Sequence, residues 1–268
     1  MWDEMTILDQ IIVQKKLEIP ALLATKPSFQ TLVKARPSLY ETLKNTNTLQ
    51  VISEMKRASP SKGDIATHID PVTQALEYEQ AGAACISVLT EQAYFKGSFS
   101  DLNAVANAVS IPVLCKDFII DTVQIDYAKA AGASVILLIV AALTDEQLQN
   151  LFIHAQENNL EVLVEVHDLE ELQRAMNIDA KIIGVNNRNL KTFEVNLSKT
   201  AEIAQHLPSS NIAFISESGI WNAEDAKIVA NAGAKGVLVG ESLMRSGDVK
   251  TSLQSLQIDI TTKVGEIS

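Results

Sequence analysis

Three Ala-Gly-Ala triplets, at Ala81–Ala83, Ala131–Ala133 and Ala232–Ala234, constrain the fold of this chain more than any other feature. Each stands where a stretch of helical spacing gives way to an apolar, partly β-branched run. Glycine there reads as the cap that ends a helix, because it enters the left-handed conformation without a Cβ penalty. The glycines lie 50 and 101 residues apart, which fits two and four βα units of about 25 residues each.

Around the triplets, the order strand, loop, helix repeats eight times. Strands are predicted at Leu49–Glu54, Ala84–Leu89, Val113–Lys116, Val135–Val140, Val162–Val166, Ile182–Val185, Ala213–Ser216 and Gly236–Val239. Helices are predicted from Asp70-Pro71 to Gln80, and over Ser100–Val109, Thr122–Ala130, Asp145–Asn158, Leu169–Met176, Leu197–Leu207, Ala223–Ala232 and Val249–Leu256. Asp70-Pro71 is a cap followed by a first-turn proline, and Thr144 with Gln147 has capping-box spacing. Eight units predict an α/β chain folded as a (β/α)8 TIM barrel. A doubly wound sheet is the rival and differs by a reversal of strand order. The 268 residues suit one barrel domain spanning 1–268. Its first part, 1–47, reads as an N-terminal helical extension. Ile7, Leu8, Ile11 and Ile12 recur at helical spacing until Pro20 stops the helix, and short helices follow over Phe29–Lys34 and Ser38–Lys44.

Composition narrows the function. The chain is 47% hydrophobic and 5% aromatic, as suits parallel strands buried under helices. A net charge of −11 repels nucleic acid. It leaves room for a small anionic substrate held by a local group of Lys and Arg. The longest apolar run, Val135–Leu143, is too short for a membrane span, and Met1–Met5 lacks the positive start of a signal peptide. A soluble, cytoplasmic protein with no membrane partner is expected. Cys85 and Cys115 lie in apolar runs and read as reduced, buried thiols, with a disulfide as the open alternative. His68, His154 and His206 have no clustered partners, so no metal site is expected.

In such a barrel, chemistry gathers at the C-terminal ends of the strands. Glu54 and Lys56 are two apart on the first strand and share a face, and Ser59-Pro60-Ser61 breaks the strand just beyond. The third strand ends in Lys116, the fifth in Glu165, the sixth in Asn186 and Arg188, the seventh in Glu217, Ser218 and Gly219, and the eighth in Gly240. Parity puts Lys116 above Leu114 and Glu165 above Leu163 on inward columns, and turns Cys115 outward. One charged strand end is an ordinary surface ion pair. Six polar ends on the same side of a barrel indicate a site. Gly219 and Gly240 follow the two strands whose loops form the usual phosphate site of such barrels. Glu241 beside them must turn its side chain away from an anion.

Six motifs carry a resemblance: E-x-K-x-x-S-P-S at Glu54–Ser61, L-C-K-D-F at Leu114–Phe118, L-V-E-V-H at Leu163–His167, I-G-V-N-N-R-N-L at Ile183–Leu190, S-E-S-G-I at Ser216–Ile220 and V-G-E-S-L-M at Val239–Met244. Together they resemble the indole-3-glycerol-phosphate synthase family of tryptophan biosynthesis over nearly the whole chain. The resemblance implies ring closure of 1-(2-carboxyphenylamino)-1-deoxyribulose 5-phosphate, with loss of CO₂ and water. It implies Lys116 as general acid, its pKa lowered by the cations Lys56 and Arg188, and Glu165 as the base in dehydration. Glu54 would tune Lys116, and Asn186 would hydrogen-bond the substrate. Lys56 and Arg188 would meet the substrate's carboxylate and phosphate, in a division left open. Ser59, Ser218, Gly219, Gly240 and the backbone of Glu241 would cradle the phosphate, with Glu217 orienting its neighbours. No metal or organic cofactor is implied, because the substrate's arylamine supplies the electrons. The only partner implied is a small sugar phosphate, and a monomer or weak homodimer is expected. By the same reading His167 is a loop residue, Arg57 and Lys62 are solvated, and Asn187 and Asn189 are tolerated variation. Two alternatives compete: a phosphoribosylanthranilate isomerase and a non-catalytic binding barrel. The E-x-K-x-x-S-P-S strand end and the N-terminal extension argue against the first. A buried acid beside a buried base argues against the second.

Overall fold

Strands β1 (Gln50–Met55), β2 (Cys85–Leu89), β3 (Val113–Lys116), β4 (Val135–Ile139), β5 (Glu161–Val166), β6 (Ile182–Asn186), β7 (Ala213–Glu217) and β8 (Gly236–Val239) pair in parallel in a closed ring in the computed structural model. The structure describes residues 5–32, 34–60, 63–64, 69–208 and 211–260. Closure falls on β1, where Ile52 lies opposite Leu238 of β8 and Cys85 of β2. The rival open sheet is thereby excluded. All eight strands fall within one residue of their sequence-predicted ends.

Helices α1 (Ile7–Leu23) and α2 (Leu39–Lys44) precede the barrel. Around it run α3 (Pro71–Ala81), α4 (Phe99–Ala108), α5 (Thr122–Ala130), α6 (Asp145–Glu157), α7 (Leu169–Asn177), α8 (Ser198–Ala204), α9 (Ala223–Asn231), α10 (Glu241–Met244) and α11 (Val249–Leu256). The Ala-Gly-Ala triplets do what their spacing predicts. Gly82, Gly132 and Gly233 have φ of 98°, 94° and 103°. The next alanine in each case donates back to a helical carbonyl, of Tyr78, Ala128 and Val229, which closes the last turn. Thr144 and Gln147 form the expected capping box.

Strand parity separates two apolar layers. Ile52, Cys85, Leu114, Leu137, Leu163, Ile215 and Leu238 fill the interior of the ring. Val51, Ile86, Cys115, Ile136, Val164 and Val237 face the helices. The two thiols therefore lie on opposite sides of the sheet, both free and buried. Leu39 and Leu43 of α2 plug the N-terminal end of the ring. Glu161, at the start of β5, seats that plug by accepting from Ser38 Oγ at 2.7 Å and from the N–H groups of Leu39 and Tyr40 at 2.7 and 3.0 Å. With its base plugged, the barrel can open only at the C-terminal strand ends.

The extension departs from its sequence reading in two places. Pro20 lies inside α1, which continues to Leu23. It lacks an N–H and crowds the carbonyl one turn back, but the turn beyond it still closes, its carbonyl accepting from Ala24 at 3.1 Å. The helix predicted over Phe29–Lys34 is absent among the described residues of that stretch. Its polar groups are taken by the end of α4 and its surroundings instead. Leu32 N–H donates to Asn107 Oδ1 at 2.8 Å, Thr31 Oγ1 to the Ala130 carbonyl at 2.6 Å, and Lys34 Nζ to the Asn107 carbonyl at 2.5 Å. The nine residues between Pro27 and Pro37 are too few for a stable helix to outweigh those bonds. Among the described residues no helix is long and apolar enough to cross a membrane.

Candidate active site

A cavity of about 140 Å³ opens at the C-terminal end of the ring. Glu54, Lys56, Lys116, Glu165, Asn186 and Arg188, predicted from four separate motifs, all line it. Residues 116 and 165 thus share one compartment. A second cavity of about 80 Å³ adjoins it. Its walls include Ser218, Gly219, Gly240, Glu241 and Ser242, and it shares Lys56, Lys116 and Arg188 with the first.

The polar groups form two adjoining sets, one around Lys116 and one around Glu165. Lys56 Nζ is 2.7 Å from Glu54 Oε1, and Lys116 Nζ is 3.5 Å from Glu54 Oε2. Lys116 also donates to Glu217 Oε2 at 2.9 Å. Glu165 Oε1 accepts from Asn186 Nδ2 at 3.1 Å, and Asn186 Oδ1 accepts from the Arg188 N–H at 3.0 Å. Glycine makes room for the Lys116 set. A Cβ at position 184, mid-way along β6, would stand 2.1 Å from Glu217 Oε1.

The arrangement overturns one expectation. Lys116 was to be a weakened base beside cations, yet its pKa is raised. Burial alone pulls it down, but the carboxylates of Glu217, Glu54 and Glu165 more than offset that. Burial would also push Glu54 up, but Lys56 and Lys116 hold it below the usual carboxylate range. Glu217 is pushed up to about 7, by burial first and by the charges of Glu165 and Glu54, against the pull of Lys116. Glu217 is buried behind Lys116, which fits orienting that amine better than touching a phosphate.

The loop after β7 is conformationally unusual. Ser218 and Gly219 both have left-handed φ, 65° and 85°, and a side chain at 219 would meet Val195 Cγ1 at 2.4 Å. A serine held in that region is a strained feature of the kind found at binding sites. Gly240 is needed for space rather than φ, since a Cβ there would lie 3.0 Å from Glu54 Oε1. Beyond it α10 begins, a short helix missing from the sequence reading. The Glu241 carboxylate is engaged by Arg245 at 3.0 Å.

Several residues outside the predicted set shape the site. Its apolar wall comprises Ile7, Leu8 and Ile11 of α1, with Phe95, Phe118, Leu137 and Leu190. Phe118 was within a quoted motif, but a wall built by distant loops leaves no periodic signal. Phe95 lies 6.0 Å from Phe118, ring to ring. Buried Glu91 holds its loop by accepting N–H groups of Ala93, Tyr94 and Phe95 at 2.7–3.0 Å. Asn187 is an anchor, not tolerated variation, for its buried amide reaches Ser216 Oγ, the Glu217 carbonyl and the Ser218 carbonyl at 2.9–3.1 Å. Arg57 is paired with Asp101 at 2.5 Å rather than simply solvated. His167 is buried, and strand parity, which puts 165 and 167 on one face, could have found it. Ser61, Lys62 and His68 lie outside the described residues, as does the side chain of Ser59.

Comparison with known proteins places this geometry. The family described as Indole-3-glycerol phosphate synthase matches residues 8–256. The chain is 49% identical over 259 residues to the indole-3-glycerol phosphate synthase of Oceanobacillus iheyensis, covering 97% of this chain and 99% of that one. It is 53% identical over 242 residues to the enzyme of the same name from Exiguobacterium sibiricum, covering 90% and 93%. Among solved structures, a 3-hexulose-6-phosphate synthase superposes with a TM-score of 0.59 at 17% identity, covering 78% of this chain and 98% of that one. A thiamine phosphate pyrophosphorylase from Pyrococcus furiosus gives 0.58 at 20%, covering 82% and 96%. Those two likenesses speak to the fold alone. The isomerase and binding-barrel alternatives give way to the family match: the chain belongs to the indole-3-glycerol phosphate synthase family.

Proposed function

We propose that this chain closes the indole ring of 1-(2-carboxyphenylamino)-1-deoxyribulose 5-phosphate, with Lys116 as the acid and Glu165 as the base. The observation that carries the roles is the meeting of both side chains in one cavity beside an apolar wall that suits an aromatic ring. Ring closure puts negative charge on the ketone oxygen as the aromatic carbon attacks its carbon. An ammonium kept charged by three carboxylates opposes that charge electrostatically. It gives up a proton only as the oxygen becomes an alkoxide, a stronger base than any lysine amine. The electron pair of the breaking C–CO₂ bond then returns to the ring and restores its aromaticity.

Dehydration needs a second proton for the leaving hydroxyl. Glu217, 2.9 Å from the amine and ionising near 7, is placed to reload Lys116. Glu165 takes the proton that dehydration releases. Glu54 steadies the positions of Lys56 and Lys116 through its two oxygens. In this reading the phosphate enters the smaller cavity, where Ser218, Gly219 and Gly240 bring backbone close to it. Lys56 and Arg188, which border both cavities, offset the phosphate and carboxylate charges. Cytoplasmic residence, and action as a monomer or weak homodimer, complete the proposal.

Incubation of the purified protein with the carboxyphenylamino-deoxyribulose phosphate tests it, read by indole absorbance and fluorescence. The expected result is stoichiometric indole-3-glycerol phosphate and no change in phosphoribosylanthranilate offered in parallel. Turnover of phosphoribosylanthranilate with none of the first substrate would overturn the reading.

A further inference from the structure

His167 follows β5 directly and has no part in the reaction as described above. Its ring is nevertheless set between two carboxylates. Nδ1 lies 3.0 Å from Glu171 Oε2, an oxygen that also accepts the His167 backbone N–H at 2.7 Å. Nε2 faces Glu165 Oε1 across 3.4 Å. That nitrogen is buried and has no hydrogen-bond partner among the described residues. Glu171 is itself fixed, since it stands in the first turn of α7, where Asp168 caps its N–H at 2.8 Å.

We propose that His167 is a positioning residue for Glu165, held by Glu171 as an imidazolium that fixes and charge-balances the base. This rests on Glu165 being that base. Three features support it. Both described contacts of the Glu165 carboxylate, from Asn186 Nδ2 and from His167, fall on Oε1, which leaves Oε2 to work on the substrate. A neutral imidazole hydrogen-bonded to Glu171 through Nδ1–H would present a lone pair at Nε2 to an anionic oxygen, which is repulsive. The imidazolium presents N–H groups to both carboxylates. The charged groups around the ring agree. Burial pulls the His167 pKa down and Lys199 opposes protonation, but the Glu171 hydrogen bond and the charges of Glu165 and Glu171 raise it overall.

The test is the pH profile of kcat for the wild type and three variants, with KM and Tm measured alongside. Wild-type kcat should fall on the alkaline side as His167 loses its proton, above the ordinary imidazole value of about 6.5. His167→Asn, which keeps a group near Glu171 but none near Glu165, should lose kcat about 10-fold at neutral pH, with KM within about twofold. His167→Gln restores an N–H toward Glu165 that does not titrate, so it should regain most of that kcat, and its alkaline limb should lose the His167 step and keep only that of Glu217, which ionises near 7. Glu171→Gln should keep the limb but move it to lower pH. A profile unchanged in all three variants overturns the proposal, as does a loss of kcat that is equal at every pH. Glu165→Gln runs as the control. If it keeps full turnover, the assignment of the base has failed. If it is inactive while the His167 variants match the wild type, only the present inference has failed.

Discussion

The ammonium of Lys116 rests 2.9 Å from the Glu217 carboxylate, inside a ring of side chains that holds more acid than base. The Glu217 carboxyl is pushed up to about 7, from an ordinary value of about 4.3. A raised carboxyl favours the fold in its protonated form. Its contribution is complete below about pH 4.3 and is lost as pH rises through 7. Glu217→Gln is therefore expected to match wild-type stability near pH 4 and to exceed it above pH 7, by thermal melts at both. Its kcat should fall about 10-fold at neutral pH, because Lys116 loses its proton source. A melting temperature several degrees below wild type at pH 8 would count against this.

Lys15 of α1 is buried and pairs with Asp117 at 2.8 Å, next in sequence to Lys116. Asp117 is held in turn by Thr90 Oγ1 at 2.8 Å. The pair fastens the helix whose Ile7, Leu8 and Ile11 form part of the cavity wall. Lys15→Met leaves a buried carboxylate short of its counter-ion, at a cost of about 3 kcal/mol. Chemical denaturation should register that loss, and KM should rise several-fold with kcat nearly unchanged. An unaltered KM would separate the extension from substrate binding.

Asn187 ties the ends of β6 and β7 together, and Thr200 Oγ1 donates to its Oδ1 at 2.8 Å. Asn187→Ala would strand the Ser218 carbonyl, at about 1–3 kcal/mol, while the Ser216 hydroxyl keeps Thr200 Oγ1 and the Glu217 carbonyl keeps the backbone N–H of residue 187. The left-handed Ser218 would lose its tether, so inorganic phosphate, as a competitive inhibitor, should bind several-fold more weakly. Equal inhibition constants in variant and wild type would show that the loop holds its shape unaided.

The barrel is legible in the sequence because its determinants are local. Short apolar, partly β-branched runs mark the strands, glycine caps mark three helix ends, and strand parity sorts Cys115 from Leu114 and Glu165 from Val164. What escaped is set by distant partners. Whether 29–34 coils depends on Asn107 and Ala130, some 75 to 100 residues away. Pro20 ends a helix only if no further turn is stabilised beyond it. The direction of the Lys116 shift depends on how many carboxylates close around one amine, a sum over β1, β5 and β7 that no single motif carries. Asn187 looked replaceable because its four partners sit on β7, the loop after it and α8.

The most direct test is the single-turnover and steady-state rate of Lys116→Met with the carboxyphenylamino-deoxyribulose phosphate. Methionine keeps the length of the side chain and removes its charge and its proton. A kcat reduced about 10²–10⁴-fold is expected, with the circular dichroism spectrum of the wild type and substrate still bound. A Lys116→Met protein that turns over at close to the wild-type rate would contradict the account at its centre.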